Sequence, residues 1–320
     1  MKKLKKLKWV LISASFQAIF LFITVDGNSQ NFSLTGSLGV SNYHGDLANS
    51  NTPNFKPDYS LGATYDLSNR FRLRFNASSL SVQGDDSKSN YSFIRTRGLN
   101  FKSKIQEAAL LGEFDLIDNS FNSIIPYIFL GGSFYHFDPY ALTQTPSEKT
   151  LNLHYLGTEG QYLPNGKYAN RQYSRNQFNI QFGAGLRFEI SQTVSIGAEA
   201  NFRKLFTDYL DDVSANNYVT REEWKIGIDY ARTVLKDEAL ANRLTTARDY
   251  AWRYMDSKGN LLLQDDQNSL WPRGNPSKND DYYSFQIRLN IRLNSGSSSA
   301  FYSPRNPFGT KQLKCAKGVY

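Results

Sequence analysis

The sequence predicts an all-β fold, an eight-stranded antiparallel transmembrane β-barrel of the outer-membrane type. Three observations lead to this fold class. Hydrophobic and polar residues alternate with period two over most of the chain, which is the pattern of a two-faced strand. The connections between the predicted strands are short and long in turn. Charged residues recur on one face of several strands, and all three features together are typical of outer-membrane barrels.

Eight segments carry this alternation. The predicted strands cover residues 32–41, 59–67, 71–78, about 99–116, 125–137, 178–189, 194–203 and 285–293. In the fourth segment the phase slips once, which predicts a β-bulge. The short connections are 68–70, 118–123 and 191–193, and the long ones are 44–57, 83–98, 138–175 and 207–281. Because the number of strands is even, the chain enters and leaves the barrel on the same side of the membrane, the periplasmic side.

The charged face decides between a membrane barrel and a soluble one. A soluble sandwich or lipocalin-like barrel would bury these charges in its core, which is costly unless each is paired. An outer-membrane barrel instead turns its apolar face to outer-membrane lipid, and eight strands leave an interior that side chains fill. We therefore predict an interior ion-pair network and no pore. Its predicted members are Arg72, Arg74, Glu113, Arg187, Glu189, Glu199, Arg203, Arg288 and Arg292.

The first residues have the pattern of a secretory signal. Lysines between Lys2 and Lys8 precede an apolar run from Trp9 to Val25, and small residues follow. The alternative, a membrane anchor, would need roughly 20 apolar residues, whereas this run is interrupted by Ser and Gln. We predict a signal peptide at 1–29, cleaved before Gln30, a barrel at 30–294 and a basic periplasmic tail at 295–320. The predicted location is the cell outer membrane.

The basic composition does not predict nucleic-acid binding. The chain carries a formal charge of +8, and the predicted signal contributes five Lys and one Asp, which leaves +8 − 4 = +4. The tail contributes another +4, so the barrel itself is near neutral. The single cysteine, Cys315, allows no disulfide within the chain.

The last long connection is too long for a simple loop. Trp224, Ile228 and Ala231, and then Leu240 and Leu244, fall at helical spacing. We predict a helical insertion at about 222–254, broken near residue 236.

No residue pattern predicts catalysis. Some small outer-membrane barrels are hydrolases that use a rim histidine, and this chain has His44, His136 and His154. A nucleophile needs a base oriented by a third group, and no serine stands in a recognisable nucleophile context. His44 and Asp46 are predicted to form a rim hydrogen bond rather than a catalytic pair. We predict a protein that is not an enzyme and has no catalytic residues.

The densest acidic cluster, Asp208, Asp211 and Asp212, raises the question of calcium. It lacks the spacing and the glycine of a calcium loop. We predict that these carboxylates cap turns and pair with rim arginines such as Arg203 or Arg273. No metal site and no cofactor are predicted.

Five pieces of the sequence resemble a known family. They are Ser41–Leu47, Leu156–Gln161, Phe206–Ser214, Arg273–Pro276 and Lys314–Lys317, and they occur in order at the predicted strand boundaries. The set resembles the PorG-like family of small outer-membrane barrels in Bacteroidetes-type bacteria, which belongs to the type IX secretion system. Within these pieces the rim loop motif consists of Asp46, Glu159, Asp208, Asp211, Asp212 and Arg273.

The resemblance implies an accessory or anchor role in type IX secretion or gliding. It implies a periplasmic lipoprotein ring as partner. The residues themselves make the tail the candidate contact, because it is basic and periplasmic and carries aromatic side chains. Its candidate residues are Phe301, Tyr302, Arg305, Phe308, Lys311, Lys314 and Lys317. The alternative function is an adhesion or ligand-binding barrel that uses its large extracellular loops.

Overall fold

The computed structural model describes residues 32–48, 53–117, 124–142, 150–191, 193–251 and 272–293. The predicted signal peptide, the tail with its candidate contact residues and residues 252–254 of the predicted insertion lie outside these ranges.

None of the helices in the described residues is long and apolar enough to cross a membrane.

Eight antiparallel strands form a closed barrel, as predicted. Nine strands occur in the described residues: β1 Phe32–His44, β2 Lys56–Asp66, β3 Phe71–Asp85, β4 Asn100–Asp115, β5 Ile124–Leu142, β6 Thr150–Asn152, β7 Asn176–Glu189, β8 Val194–Leu205 and β9 Asp281–Arg292. The order is β4-β3-β2-β1-β9-β8-β7-β5, and β4 pairs with β5 to close the barrel. The short strand β6 pairs with the last residues of β5, Tyr140 to Leu142. We call the end with the 67–70 turn the short-turn end and the opposite end the long-loop end.

The barrel has an apolar outside and a charged inside. Leu61, Phe178 and Leu38 are 73%, 66% and 65% exposed on the outer face, whereas Arg74 and Glu113 inside are 0% and 1% exposed. An exposed apolar belt of this size on a monomer marks contact with another apolar phase. The alternation read from the sequence therefore corresponds to a fold turned inside out relative to a soluble barrel.

The predicted bulge in the fourth strand is wrong. β4 pairs without interruption with β3 and with β5, and its odd-numbered residues from Phe101 to Asp115 all face inward. The apolar residues change faces instead. Leu110 and Phe114 point outward near the short-turn end, whereas Phe101 and Ile105 point inward near the long-loop end.

The inward apolar residues belong to a cluster that fills the long-loop half of the barrel. Strands are longer than predicted at this end: β3 continues to Asp85, where Leu80 and Val82 face the interior. We call this cluster the apolar plug. It consists of Tyr43, Leu47, Leu80, Val82, Leu99, Phe101, Ile105, Tyr135, Phe137, Ala141, Leu153, Leu205, Leu210, Val213, Tyr250 and Tyr282.

Helices and loops cover the plug from outside. The helices are α1 Ser92–Arg97, α2 Leu153–Leu156, α3 Arg221–Thr233 and α4 Glu238–Ala251, with 3₁₀ turns at Asp86–Lys88 and Ala169–Arg171. The predicted helical insertion is confirmed by α3 and α4. Thr220 caps α3 through a capping box with Glu223, and the chain breaks at Lys236, whose φ is +52°.

These helices have a hydrophobic core of their own. It is built from Leu156, Leu163, Val219, Trp224, Ile228, Ala231, Ala241, Leu244 and Ala247. Trp224 is fully buried in it. We call the described residues 150–175, 206–251 and 272–280 the cap. The cap is therefore a packed layer at the long-loop end rather than a set of separate loops.

Candidate functional site

The barrel interior near the short-turn end is filled by paired charges. Glu113 is the centre: its carboxylate lies 3.2 Å from Arg72, 2.8 Å from Arg187, 3.0 Å from Arg288 and 3.4 Å from Arg74. A carboxylate at 1% exposure can stay ionised only with such partners. Four guanidinium groups from three other strands thus converge on one side chain of β4.

The charges of this network are equal in number. Five arginines, Arg72, Arg74, Arg187, Arg288 and Arg292, face five carboxylates, Asp66, Glu113, Asp115, Glu189 and Glu199. Glu199 Oε1 accepts from Arg74 Nη1 at 2.5 Å and from the Tyr127 hydroxyl at 2.6 Å. The structure brings eight of the nine predicted network residues together here.

The ninth, Arg203, lies nearer the long-loop end of the barrel. Its Nε is 3.4 Å from Glu107 Oε1, and its Nη2 is 3.9 Å from Asp58 Oδ2. Tyr282 also donates to Glu107, at 2.7 Å. This second group separates the ion-pair network from the apolar plug.

Four interior acids escaped the sequence reasoning: Asp58, Asp66, Glu107 and Asp115. Glu107 and Asp115 share their sequence parity with Glu113 in β4, so a strict alternation would have found them. The assumed bulge concealed that parity. Asp58 and Asp66 lie on the polar face of β2, in phase with Ser60 and Thr64.

At the long-loop end, the pieces of the rim loop motif meet in the cap. Glu159 Oε1 accepts from the backbone N–H of Ser214 at 3.0 Å and lies 3.3 Å from Arg273 Nη1. Asp46 Oδ2 accepts from the backbone N–H of Asn275 at 2.6 Å. Three loops distant in sequence are joined by these carboxylates.

Two buried rim carboxylates share one tyrosine. The Tyr43 hydroxyl lies 2.7 Å from Asp211 Oδ2 and 2.5 Å from Asp280 Oδ1. A phenol has a single proton to donate, so one of the two carboxyls must carry a proton of its own to complete both hydrogen bonds. Burial raises the pKa of Asp211, and the charge of Asp280 raises it further. Asp280 was not among the predicted rim residues.

The neighbouring acids also bind protons unusually tightly. Burial, followed by the charge of Asp46, raises the pKa of Asp208 to about 8. Burial raises the pKa of Asp212 to about 7, although Thr158 and Tyr173 donate hydrogen bonds to its carboxylate at 2.5 Å and 2.7 Å. Neither oxygen of Asp208 has a hydrogen-bond partner in the described residues.

The predicted pairing of these acids with Arg203 is wrong, because that arginine points into the barrel. Arg273 contacts Glu159 and Thr158. Arg97, which sequence reasoning did not single out, forms the other buried ion pair of this region, with Asp86 at 2.7 Å. Within the described residues no three His, Cys, Asp or Glu side chains are grouped so that they could hold a metal ion.

Two of the three histidines have partners other than those expected of a catalytic base. His136 Nδ1 is 2.7 Å from Asn176 Oδ1, and His154 Nε2 is 3.1 Å from the Tyr173 carbonyl. The predicted His44–Asp46 hydrogen bond is wrong: Asp46 accepts from Asn275 instead. In the part of the chain that the structure describes, no histidine is hydrogen-bonded to a carboxylate or to a serine hydroxyl.

A family described as a domain of unknown function (DUF6089) matches residues 13–152, less than half of the chain. No curated protein matches the sequence. The chain is similar to Neisserial surface protein A, with 9% identity, 82% of this chain and 97% of that chain covered, and a TM-score of 0.38.

Two further similar structures are outer-membrane proteins as well. Ail of Yersinia pestis, in complex with the heparin analogue sucrose octasulfate, has 9% identity over 82% of this chain and 98% of that chain, with a TM-score of 0.36. The outer membrane enzyme PagL has 14% identity over 82% of this chain and 99% of that chain, with a TM-score of 0.30.

The fold and the interior of the present structure define the class of protein by themselves. A closed eight-stranded barrel with an apolar outer belt and internal ion pairs is an outer-membrane β-barrel. The ion-pair network and the apolar plug fill its interior from the short-turn end to the cap.

Replacing Glu113 tests the network. In E113Q four arginines lose their common carboxylate, and we expect the free energy of unfolding to fall by about 3–5 kcal/mol. E189Q is the matched control: Glu189 lies near the barrel mouth, 3.0 Å from Arg187, which keeps its pairs with Glu113 and Asp115, so we expect a smaller loss of about 1–2 kcal/mol. Urea unfolding of the barrel refolded into lipid vesicles measures both. Equal losses would contradict a central role for Glu113.

Replacing Asp208 tests the acidic rim. The folded cap holds the Asp208 proton up to about pH 8, whereas the unfolded chain releases it near its ordinary pKa of about 3.9. The cap should therefore lose stability as pH rises between these values, by at most about 1.4 kcal/mol per pH unit for this site. D208N should be more stable than the wild type at pH 8 and equal to it near pH 4.

Hydrogen-exchange protection factors of amides 205–214, measured at both pH values, give this difference. D229N is the control, since Asp229 is an exposed acid on α3. A D208N protein whose advantage over the wild type is the same at both pH values would overturn the assignment.

Proposed function

We propose that this chain is a non-enzymatic outer-membrane barrel that anchors contacts at its ends, as an accessory component of type IX secretion or gliding. The observation that carries the anchor role is the filled interior. Ion pairs occupy one half of the barrel and the apolar plug occupies the other. In the described residues this filling argues against a path for solutes, so the membrane-spanning part would act as a support.

The architecture supports a definite orientation. Tight turns of outer-membrane barrels face the periplasm and long loops face outside, which would place the cap outside the cell. The Leu293 N–H donates to the Phe32 carbonyl at 2.8 Å, so both chain directions leave the barrel at the short-turn end. The tail that follows residue 293 would then begin in the periplasm.

The secretion role is supported by the sequence pieces that resemble the PorG-like family. Four of them meet at one place: Asp46 bonds to Asn275, and Glu159 bonds to Ser214 and Arg273. They therefore have a common structural reason to occur together. The partner we propose is the periplasmic lipoprotein ring of the secretion system, with the basic and aromatic tail as the contact.

The proposal that the protein is not an enzyme is supported by the histidine partners given above. A base must be within hydrogen-bond reach of the group that it deprotonates. The rings of His136 and His154 are directed to an amide and a backbone carbonyl instead.

A pull-down from detergent-solubilised outer membranes tests the secretion proposal. The full chain is expected to recover periplasmic lipoproteins of the secretion ring, and a form ending at residue 294 is expected to lose them. A full-length form with Arg305, Lys311, Lys314 and Lys317 changed to Ser separates the charge of the tail from its length. Recovery of the same lipoproteins without the tail would refute the tail contact, and recovery of none by the full chain would refute the secretion role.

A second function, ligand binding or adhesion at the outer surface, is favoured by the cap. Loops that serve only as connections do not need a separate hydrophobic core, but α3 and α4 form one with Leu156 and Leu163. Because binding residues are disproportionately found on loops held by a rigid scaffold, this layer is the candidate surface.

Replacing residues 218–270 with a short Gly-Ser turn tests the second function. This deletion keeps Ala215 and Asn216, whose carbonyls accept from Gly274 and Arg273. We expect the barrel to fold, secretion to continue and surface binding of cells to extracellular matrix to be lost. Surface binding at the wild-type level would exclude the cap as the binding surface. Loss of secretion would favour neither function, whereas continued secretion with lost surface binding favours the second.

A further inference from the structure

A pocket of about 460 Å³ lies in the cap, at the level of α2 and α4. This volume is within the usual range of ligand sites, roughly 300–1,000 Å³. The residues that line it are Asn152, His154, Tyr155, Tyr162, Arg175 and Arg243. Its wall thus consists entirely of aromatic, amide and cationic side chains.

Arg243 is the most unusual of these residues. Its guanidinium carbon lies 3.8 Å from the ring centre of Tyr162 and 4.4 Å from that of Tyr155. Within the described residues no carboxylate lies within 4.0 Å of it, and its buried Nε has no hydrogen-bond partner. By contrast, Arg232 on α3 is paired with Glu238, and Arg248 on α4 is paired with Asp249. Arg243 is therefore a positioned cation with open donors.

The rest of the pocket adds positive charge and hydrogen-bonding groups. Arg175 Nη1 lies 2.7 Å from Asp138, the carboxylate that also accepts from Asn152 at 3.1 Å. Two arginines thus face one acid. Burial lowers the pKa of His154, and the charges of Arg175 and Arg243 lower it further, so the ring is neutral at pH 7. The net charge of the pocket is then +1.

We propose that this pocket binds an acidic saccharide, whose carboxylate, sulfate or phosphate group pairs with Arg243. A guanidinium group presents a planar pair of donors that matches such anions. The Tyr155 side chain, 59% exposed, offers a ring face on which a sugar can pack. The hydroxyl of this exposed Tyr155 side chain can bond to a sugar hydroxyl group. The proposal deepens the ligand-binding function proposed above, and it depends on that function only for its place outside the cell.

Calorimetric titration of the purified full chain in detergent tests the proposal. The probes are digalacturonate, the neutral disaccharide of galactose, and inorganic phosphate. We expect digalacturonate to bind and both other probes to bind at least roughly tenfold more weakly, because the site needs both the ring and the charge. Phosphate binding as tight as that of digalacturonate would show a simple anion site and overturn the saccharide assignment. The absence of digalacturonate binding would overturn it as well.

The variants R243Q and R248Q form a matched pair, since each removes one positive charge from α4. R243Q is expected to lose roughly tenfold or more in affinity for digalacturonate, and R248Q is expected to bind as the wild type does. Fluorescence of the buried Trp224, measured in a W252F/W271F background so that it is the sole tryptophan of the mature chain, reports whether the cap of R243Q is intact. Y155A, a change at an exposed ring, repeats the test without disturbing the core of the cap. Wild-type affinity in both R243Q and Y155A would refute the site, and it would leave secretion and cap-dependent adhesion to be judged by their own experiments.

Discussion

The cost of burying charge inside a narrow barrel is the constraint on which the rest of this structure depends. Lipid takes the place that a hydrophobic core has in a soluble protein, so the polar face of each strand must point inward. Eight strands leave no room there for a water-filled channel. Each inward arginine therefore needs a carboxylate from another strand, and Glu113, which four arginines approach, satisfies this need for much of the barrel.

The same constraint explains which parts of the fold could be predicted from the sequence. Strands that face lipid alternate strictly, so β7, β8 and β9 are visible as uninterrupted patterns around Phe182, Ile196 and Ile287. Between the apolar belt and the long-loop end, the outer face is polar and the interior is filled by the apolar plug. There the apolar residues of a strand face inward instead of outward. In β4 the large apolar residues change from the outer to the inner face at Ile105. The sequence pattern therefore resembles that of a bulge, although the hydrogen-bonded register is unbroken.

The site was less predictable than the fold, for reasons of geometry. Residues such as Glu159 and Arg273 can be identified as unusual in sequence, but their contact depends on loops whose conformation no periodicity determines. Arg243 shows the limit most clearly. On α4 it has the sequence context of an ordinary solvated arginine, and only the folded cap places Tyr155 and Tyr162 against its guanidinium group.

Buried acids are stabilised differently at the two ends of the interior. Near the short-turn end, carboxylates are matched by arginines in equal number. At the long-loop end, Asp208, Asp211 and Asp280 have no arginine partner within the described residues, and burial raises the pKa of each. Asp211 and Asp280 bond to Tyr43 and to backbone N–H groups. Charge pairing thus stabilises the membrane-spanning part, whereas the stability of the cap depends on the protonation of buried acids such as Asp208.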